Sequence, residues 1–245
     1  MRYTNNVDNR DFILDSLGAA RMEPYLRATN GHKRQALNLY RWSVRLAASV
    51  QEVLGITEVL LRNAIDRELQ DWNNANLPRP QSWLLEKPAA PLRGLIKNNV
   101  HKATERAEES RARRKEDHPR RSEPLSHDDV LAHIMFSFWR QVLPNHAPDA
   151  NRDDQRNKNK LRLWEEAISK AFPHVEDPDG KQTFWRVSHL VELRNRVSHM
   201  DSLLHVDIED VLGDAFALVE SIDPQLRVWL TSISTVKEII KQRPK

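Results

Sequence analysis

Cysteine is absent from the 245 residues, which removes disulfides, thiol nucleophiles and thiolate metal sites, and with them cysteine proteases, zinc ribbons and iron–sulfur proteins. Catalysis is left to His, Arg, carboxylates or hydroxyls. Glycine is scarce, with six in all and none in a GxxxxGK(S/T) or GxGxxG arrangement, so nucleotide-binding α/β folds are not expected. No run approaches the roughly 18 to 20 apolar residues of a membrane helix. The opening MRYTNNVDNRDFIL lacks the apolar block of a secretory signal. The expected setting is the cytoplasm, with no membrane partner.

What is present is 39% hydrophobic and 30% charged residues, enough apolar material for a core of ordinary size. The net charge of +3 is unevenly spread. Ten Lys or Arg face five Asp or Glu between Arg93 and Arg121, and five face two between Asn151 and Arg162. From Asp201 to Asp223 there are seven acids and no Lys or Arg. Localised positive charge of this kind suits a polyanion.

Apolar residues recur at three and four almost throughout, and alternating stretches are rare, so the fold class is all-α. Helices are expected over 11–17, 22–29, 32–76, 92–109, 126–142, 155–171, 181–200, 206–222 and 223–241. The long one, 32–76, carries Leu37, Tyr40, Val44, Ala47, Leu54, Leu61 and Ile65 in three/four spacing, with Gly55 as a candidate joint. Residues 77–91 hold four prolines and form no regular helix; Trp83, Leu84 and Leu85 are their expected anchors. Residues 106–124 form a charged, mobile insertion. Ser126 with Asp129 reads as a capping box, and Asp223 with Pro224 as an N-cap followed by a first-turn proline. The whole of 1–245 reads as a single domain.

The most informative segment is HLVELRNRVSHMD, 189–201. Arg-x4-His occurs three times, at 27/32, 113/118 and 194/199, and only Arg194 is followed by Asn. At about 100° per residue, Phe184, Val187, Leu190, Val191, Leu193 and Val197 form an apolar arc with Arg194 in its middle. Asn195, Ser188, His199 and Glu192 lie on the neighbouring arc. A guanidinium on a packed face needs an anion or a polar cleft, since it cannot shed its charge. An imidazole titrates near neutral pH. Arg194 would hold a phosphate, His199 would move the proton of a 2′-hydroxyl, and Asn195 would orient one or the other: the parts for RNA cleavage without a metal. The competing reading pairs Arg194 with a buried carboxylate, Glu58 of the long helix, and leaves His199 as a helix cap.

The R-N-x-x-x-H motif late in an all-helical chain resembles the HEPN superfamily, in particular its Abi-like (abortive-infection) branch. Residues 37–69, with Glu58, Leu61, Arg62, Asn63 and Ile65, resemble that family's E-x-x-L-R-N-x-I helix, and HIMFSFWRQVL, 133–143, its mid-chain aromatic block. The resemblance implies an HEPN-type helical bundle and a metal-independent endoribonuclease without cofactors. It further implies a homodimer with a composite active site, and a phage-defence or toxin role with an RNA or protein antitoxin as candidate partner. It makes Arg194, Asn195 and His199 catalytic, and lets Glu58, Arg62 and Asn63 brace the cleft, with Glu192 and Ser188 in support. The alternative is a non-catalytic helical module that binds RNA or protein.

Arg111, Arg113 and Arg114, and in the second basic cluster (152–162) Lys158 and Lys160, are candidate RNA contacts; the bland reading is solvated loops. Tryptophans such as Trp139, Trp164 and Trp185, at helical spacing beside Leu and Val, read as core before they read as base-stacking platforms. The histidines lack metal-site spacing.

Overall fold

The computed structural model describes residues 9–151 and 153–244, and every regular element among them is helical. None of these helices is long and apolar enough to cross a membrane. The chain opens with α1 (Asn9–Leu17) and α2 (Ala19–Ala28), then enters α3 (Lys33–Ala75), one unbroken helix of 43 residues. Gly55 is not a joint. The buried residues Leu39, Leu46, Val50, Leu54, Leu61, Ile65 and Leu69 recur at four and seven, which keeps one stripe facing inward along the whole length. At its start the stripe is phased differently from the expected one: Ala36, Leu39 and Trp42 are buried, while Leu37, Tyr40 and Val44 lie at its edge. α1 and α2 cover that edge, and Tyr25 meets Tyr40 edge-on at 5.3 Å between ring centroids.

The helices α8 (Lys181–Ser198) and α9 (Ile208–Ile222) pack against each other and against α3. The start of α8 is fixed by Gly180, whose φ of +73° suits glycine and where a Cβ would meet the Trp164 ring at 2.9 Å. α6 (Phe136–Val142) packs on α8, and α4 (Leu92–Ala112) lies against α5 (His127–Leu131), α6 and α7 (Gln155–Glu166). α10 (Pro224–Ile233) follows α9, with Asp223 capping and Pro224 opening it as expected. α11 (Val236–Lys241) returns to α3, where the Trp42 indole donates to the Ile239 carbonyl at 2.7 Å.

Three expected helices are broken. The 126–142 segment divides into α5 and α6, because Val130, Leu131, Phe136, Phe138 and Trp139 would spread over about 240° of a continuous helix; with the break all five are buried. The 155–171 segment ends as α helix at Glu166 and continues as a 3₁₀ turn, Ile168–Ala171. The 223–241 segment stops at Ser234, whose backbone is extended. The capping box is present in both halves: the Ser126 hydroxyl accepts from the Asp129 N–H, and Asp129 accepts from the Ser126 N–H. In the proline-rich stretch Trp83 and Leu84 are buried anchors, but Leu85 is 44% exposed. Gln70 and Asn73 of α3 hold the stretch through the Gln81 carbonyl. Trp83, Trp139 and Trp164 are fully buried and Trp185 half-buried, as core packing requires.

Candidate functional site

The packing of α3 on α8 brings Glu58 into the field of Arg194, and Arg62, one turn further along α3, acts on the same carboxylate. Arg194 is half-buried, and among the described residues it forms no hydrogen bond or ion pair. Glu58 is close enough for its charge to be felt, yet it is not locked to the guanidinium. Burial pushes the Glu58 carboxyl up from its ordinary value, and Arg194 and then Arg62 pull it only part of the way back. The attraction is thus weaker than the desolvation.

A raised folded-state pKa means that stability is full below the unfolded glutamate value of about 4.3 and is lost as pH rises through the folded value. Glu58→Gln should therefore raise the urea midpoint at neutral pH, and the gain should vanish near pH 4. A gain that is the same at both pH values would disprove that origin.

His199 ends α8 at the C-cap position, and only its backbone is engaged: its N–H donates to the Asn195 carbonyl at 3.0 Å, and its carbonyl accepts from Arg21 at 3.4 Å. The imidazole is exposed and without a hydrogen bond among the described residues. Asn195 is exposed as well, and its amide does not touch the ring. The turn that follows is a Schellman motif, with Met200 N–H on the Val197 carbonyl (3.1 Å) and Asp201 N–H on the Arg196 carbonyl (2.9 Å). Met200 occupies its left-handed position with φ +53°, a conformation that glycine adopts more cheaply. Arg21 of α2 secures the turn through the Met200 carbonyl at 2.6 Å. A cleft of about 510 Å³ between the first turns of α2 and Met200–Ser202 adjoins this helix end.

Not all the expected residues meet. Five residues along a helix amount to a rotation of about 140°, so Arg194 faces α3 while His199 points elsewhere; one protomer does not bring them together. Ser188 lies in the packed interior with its hydroxyl donating to the Phe184 carbonyl at 2.7 Å, away from any cleft. Glu192 is exposed, and Asn63, also exposed, accepts from Arg62 at 3.4 Å. A cleft of about 620 Å³ lies elsewhere, between Trp83–Pro88 and α4.

The basic segments divide by partner. Arg114 is not available to RNA: it donates to Asp129 at 2.8 Å and to the Arg120 carbonyl at 2.8 Å, and Arg120 donates to Asp129 at 2.7 Å. These bonds tie the 113–125 stretch to α5. Burial alone would raise the Asp129 carboxyl, but hydrogen bonds from Ser126 and the two guanidiniums outweigh it and hold the group well below the usual carboxylate range. Arg111 donates to the Glu123 carbonyl, Arg113 sits 3.6 Å from Glu109, and Lys158 sits 3.8 Å from Asp153. Lys160 is half-buried with no carboxylate partner among the described residues, and Arg152 of the same cluster lies outside them.

A second constellation joins three segments distant in sequence. The Ser82 hydroxyl donates to His127 Nδ1 at 2.8 Å, and His127 Nε2 donates to Asp66 at 2.8 Å, where the Trp83 indole also donates at 2.8 Å. The order is that of a nucleophilic triad. Ser82 Oγ, however, already accepts the N–H groups of Leu84 and Leu85, at 3.2 and 3.0 Å, which occupy both lone pairs and direct its proton to the ring. It anchors a turn and is not a poised nucleophile. No local sequence signal joins residues 66, 82 and 127. Among the described residues no three His, Asp or Glu converge as metal ligands.

Comparison with known proteins finds nothing similar to set beside this geometry: no family model, no curated protein and no solved structure matches the chain.

Proposed function

We propose that this chain is a metal-independent endoribonuclease of the HEPN, Abi-like type, a homodimer acting in prokaryotic defence and restrained by an antitoxin. It cuts RNA by 2′-hydroxyl attack, leaving 2′,3′-cyclic phosphate and 5′-hydroxyl ends. One observation carries the reading: a fixed cation without a locked counter-ion, Arg194, and an open imidazole, His199, leave the same helix in different directions. That divergence supports a site completed by a facing copy.

In the reaction the neutral imidazole of one motif histidine takes the 2′-hydroxyl proton. The 2′-oxygen bonds to phosphorus, and the 5′-oxygen leaves with the proton that the same imidazole, now protonated, hands on. Arg194 stabilises the added negative charge through paired N–H donors, and Asn195 orients the phosphate. Glu58 keeps Arg194 in place without neutralising it.

Purified protein incubated with total RNA in excess EDTA should produce fragments whose 5′ ends are labelled by polynucleotide kinase without prior phosphatase treatment. Dependence on added metal, or 5′-phosphate ends, refutes the proposal. The exposed His199 ring, without a hydrogen bond to orient it among the described residues, favours the non-catalytic alternative, whose signature is RNA bound and left intact.

A further inference from the structure

The cleft of about 620 Å³ between Trp83–Pro88 and α4 has two unlike surfaces. Its floor is apolar: Trp83, Pro88 and Ile96 are buried there, and Val100 is half-buried. Its rim is cationic. Arg93 and Lys97, one turn apart on α4, share a helical face with Ile96 and Val100, and Lys87 belongs to the opposite wall. All three cations are exposed, and among the described residues none has a carboxylate partner. Glu86 adds one acid to the lining, so three positive charges stand against one negative.

The first wall is held to α3 and to itself. The Trp83 indole donates to Asp66 at 2.8 Å, the Ala89 N–H donates to the Asn73 side chain at 2.9 Å, and the Gln81 side chain donates to the Lys87 carbonyl at 2.7 Å. The second wall packs through buried Leu92 and Leu95 of α4. The cleft is therefore preformed, and its volume falls within the range of about 300–1,000 Å³ typical of small-molecule sites. Gly94 keeps it open. It lines the cleft from the first turn of α4, and a Cβ there would meet nothing within 4 Å, so neighbouring atoms do not demand a glycine. Like charges one turn apart, as Arg93 and Lys97 are, destabilise a helix, and a bound anion would relieve them. An inorganic ion would answer the rim and leave the floor wet, whereas a neutral apolar molecule would cover the floor and leave the cations unpaired. A molecule with an anionic head and an apolar body satisfies both surfaces.

We infer that this cleft binds a small amphipathic organic anion, with its head on Arg93, Lys97 and Lys87 and its body on the floor of Trp83, Pro88 and Ile96. An aryl phosphate or sulfonate and an acyl carboxylate share that chemistry. The inference does not require the chain to cut RNA, and none of these residues belongs to the Arg194 and His199 site.

The test uses the full chain and the fluorescent probe 1-anilinonaphthalene-8-sulfonate, an aryl anion that brightens in apolar surroundings. The wild type should bind it saturably at a single site. Gly94→Leu, which fills the cleft, should abolish binding; it should melt no lower than wild type, since leucine is the better helix former, so misfolding does not confuse the result. Arg93→Gln and Lys97→Gln should each weaken binding about threefold to fivefold, the upper range for an exposed ion pair. Lys102→Gln, which removes the same charge from α4 outside the cleft, should change it less than about twofold. Displacement of the probe by laurate identifies an acyl anion as the preferred class, and displacement by 1-naphthyl phosphate an aryl one. The site is overturned if the probe does not bind, if Gly94→Leu binds it as well as wild type, or if Lys102→Gln is as damaging as Lys97→Gln. It is overturned equally if neutral 1-naphthol displaces the probe as well as 1-naphthyl phosphate does, or if a short uncleavable 2′-O-methyl RNA displaces it and neither small anion can. RNA cleavage by Gly94→Leu at the wild-type rate would leave the nuclease reading untouched, so the two readings fail separately.

Discussion

His199→Ala is expected to lower RNA cleavage by about 10²- to 10⁴-fold, the range for loss of a general acid–base group. The fold should survive, because the ring is exposed and makes no hydrogen bond among the described residues. Arg194→Ala should cost about 10²- to 10³-fold, as loss of a transition-state donor does, and Arg194→Lys should not restore the rate, since an ammonium lacks the paired donors. The divergence of the two side chains around α8 makes a sharper measurement available. If each site takes its arginine from one copy and its histidine from the other, mixing the two inactive variants regenerates one intact site per mixed dimer. Activity that stays absent after mixing and re-equilibration would show that each protomer works alone, or not at all.

Asp129→Ala is expected to destabilise the protein by about 2–4 kcal/mol, measured from urea unfolding at neutral pH. Two losses add: the reciprocal half of the capping box, in which Asp129 accepts the Ser126 N–H, about 1 kcal/mol, and a charge-assisted bond to Arg114, about 1.5–3 kcal/mol, whose side chain is only 14% exposed and would lose its carboxylate. The Arg120 contact is more open, at 37%, and adds little. Because the folded-state pKa of Asp129 is depressed, its contribution is fully present above the unfolded aspartate value near 3.9 and is lost as pH falls through the acid range. The gap between wild type and Asp129→Asn should therefore narrow on acidification. A gap that stays constant from pH 7 to pH 3 would mean that packing, not charge, holds α5.

The all-helical class was legible because nearly every apolar residue obeys one period, and the N-caps at Ser126 and Asp223 were legible because capping is a local matter of one side chain and the next few N–H groups. The breaks at 132–135 and 234–235 were less so: whether a helix continues is decided by what its far side must pack against, which a single segment does not encode. The basic segments misled for the same reason. Arg114 and Lys160 look alike in sequence, but one is held by Asp129, fifteen residues further along the chain, and the other is half-buried with no carboxylate bonded to it among the described residues. Glu58 and Arg194 were paired from their stripes alone. The balance between them, in which burial outweighs attraction, is visible only in three dimensions.

The uninterrupted course of α3 has a mechanical result. A helix of 43 residues behaves as a stiff beam, and Glu58 and Arg62 are carried nearer its midpoint than its tips. When such a beam rocks, its ends sweep and its centre stays almost still, so the carboxylate opposite Arg194 sits close to the pivot. Movements of α1 and α2 at one tip, or of the Trp83 stretch at the other, would leave the spacing at the fulcrum nearly unchanged.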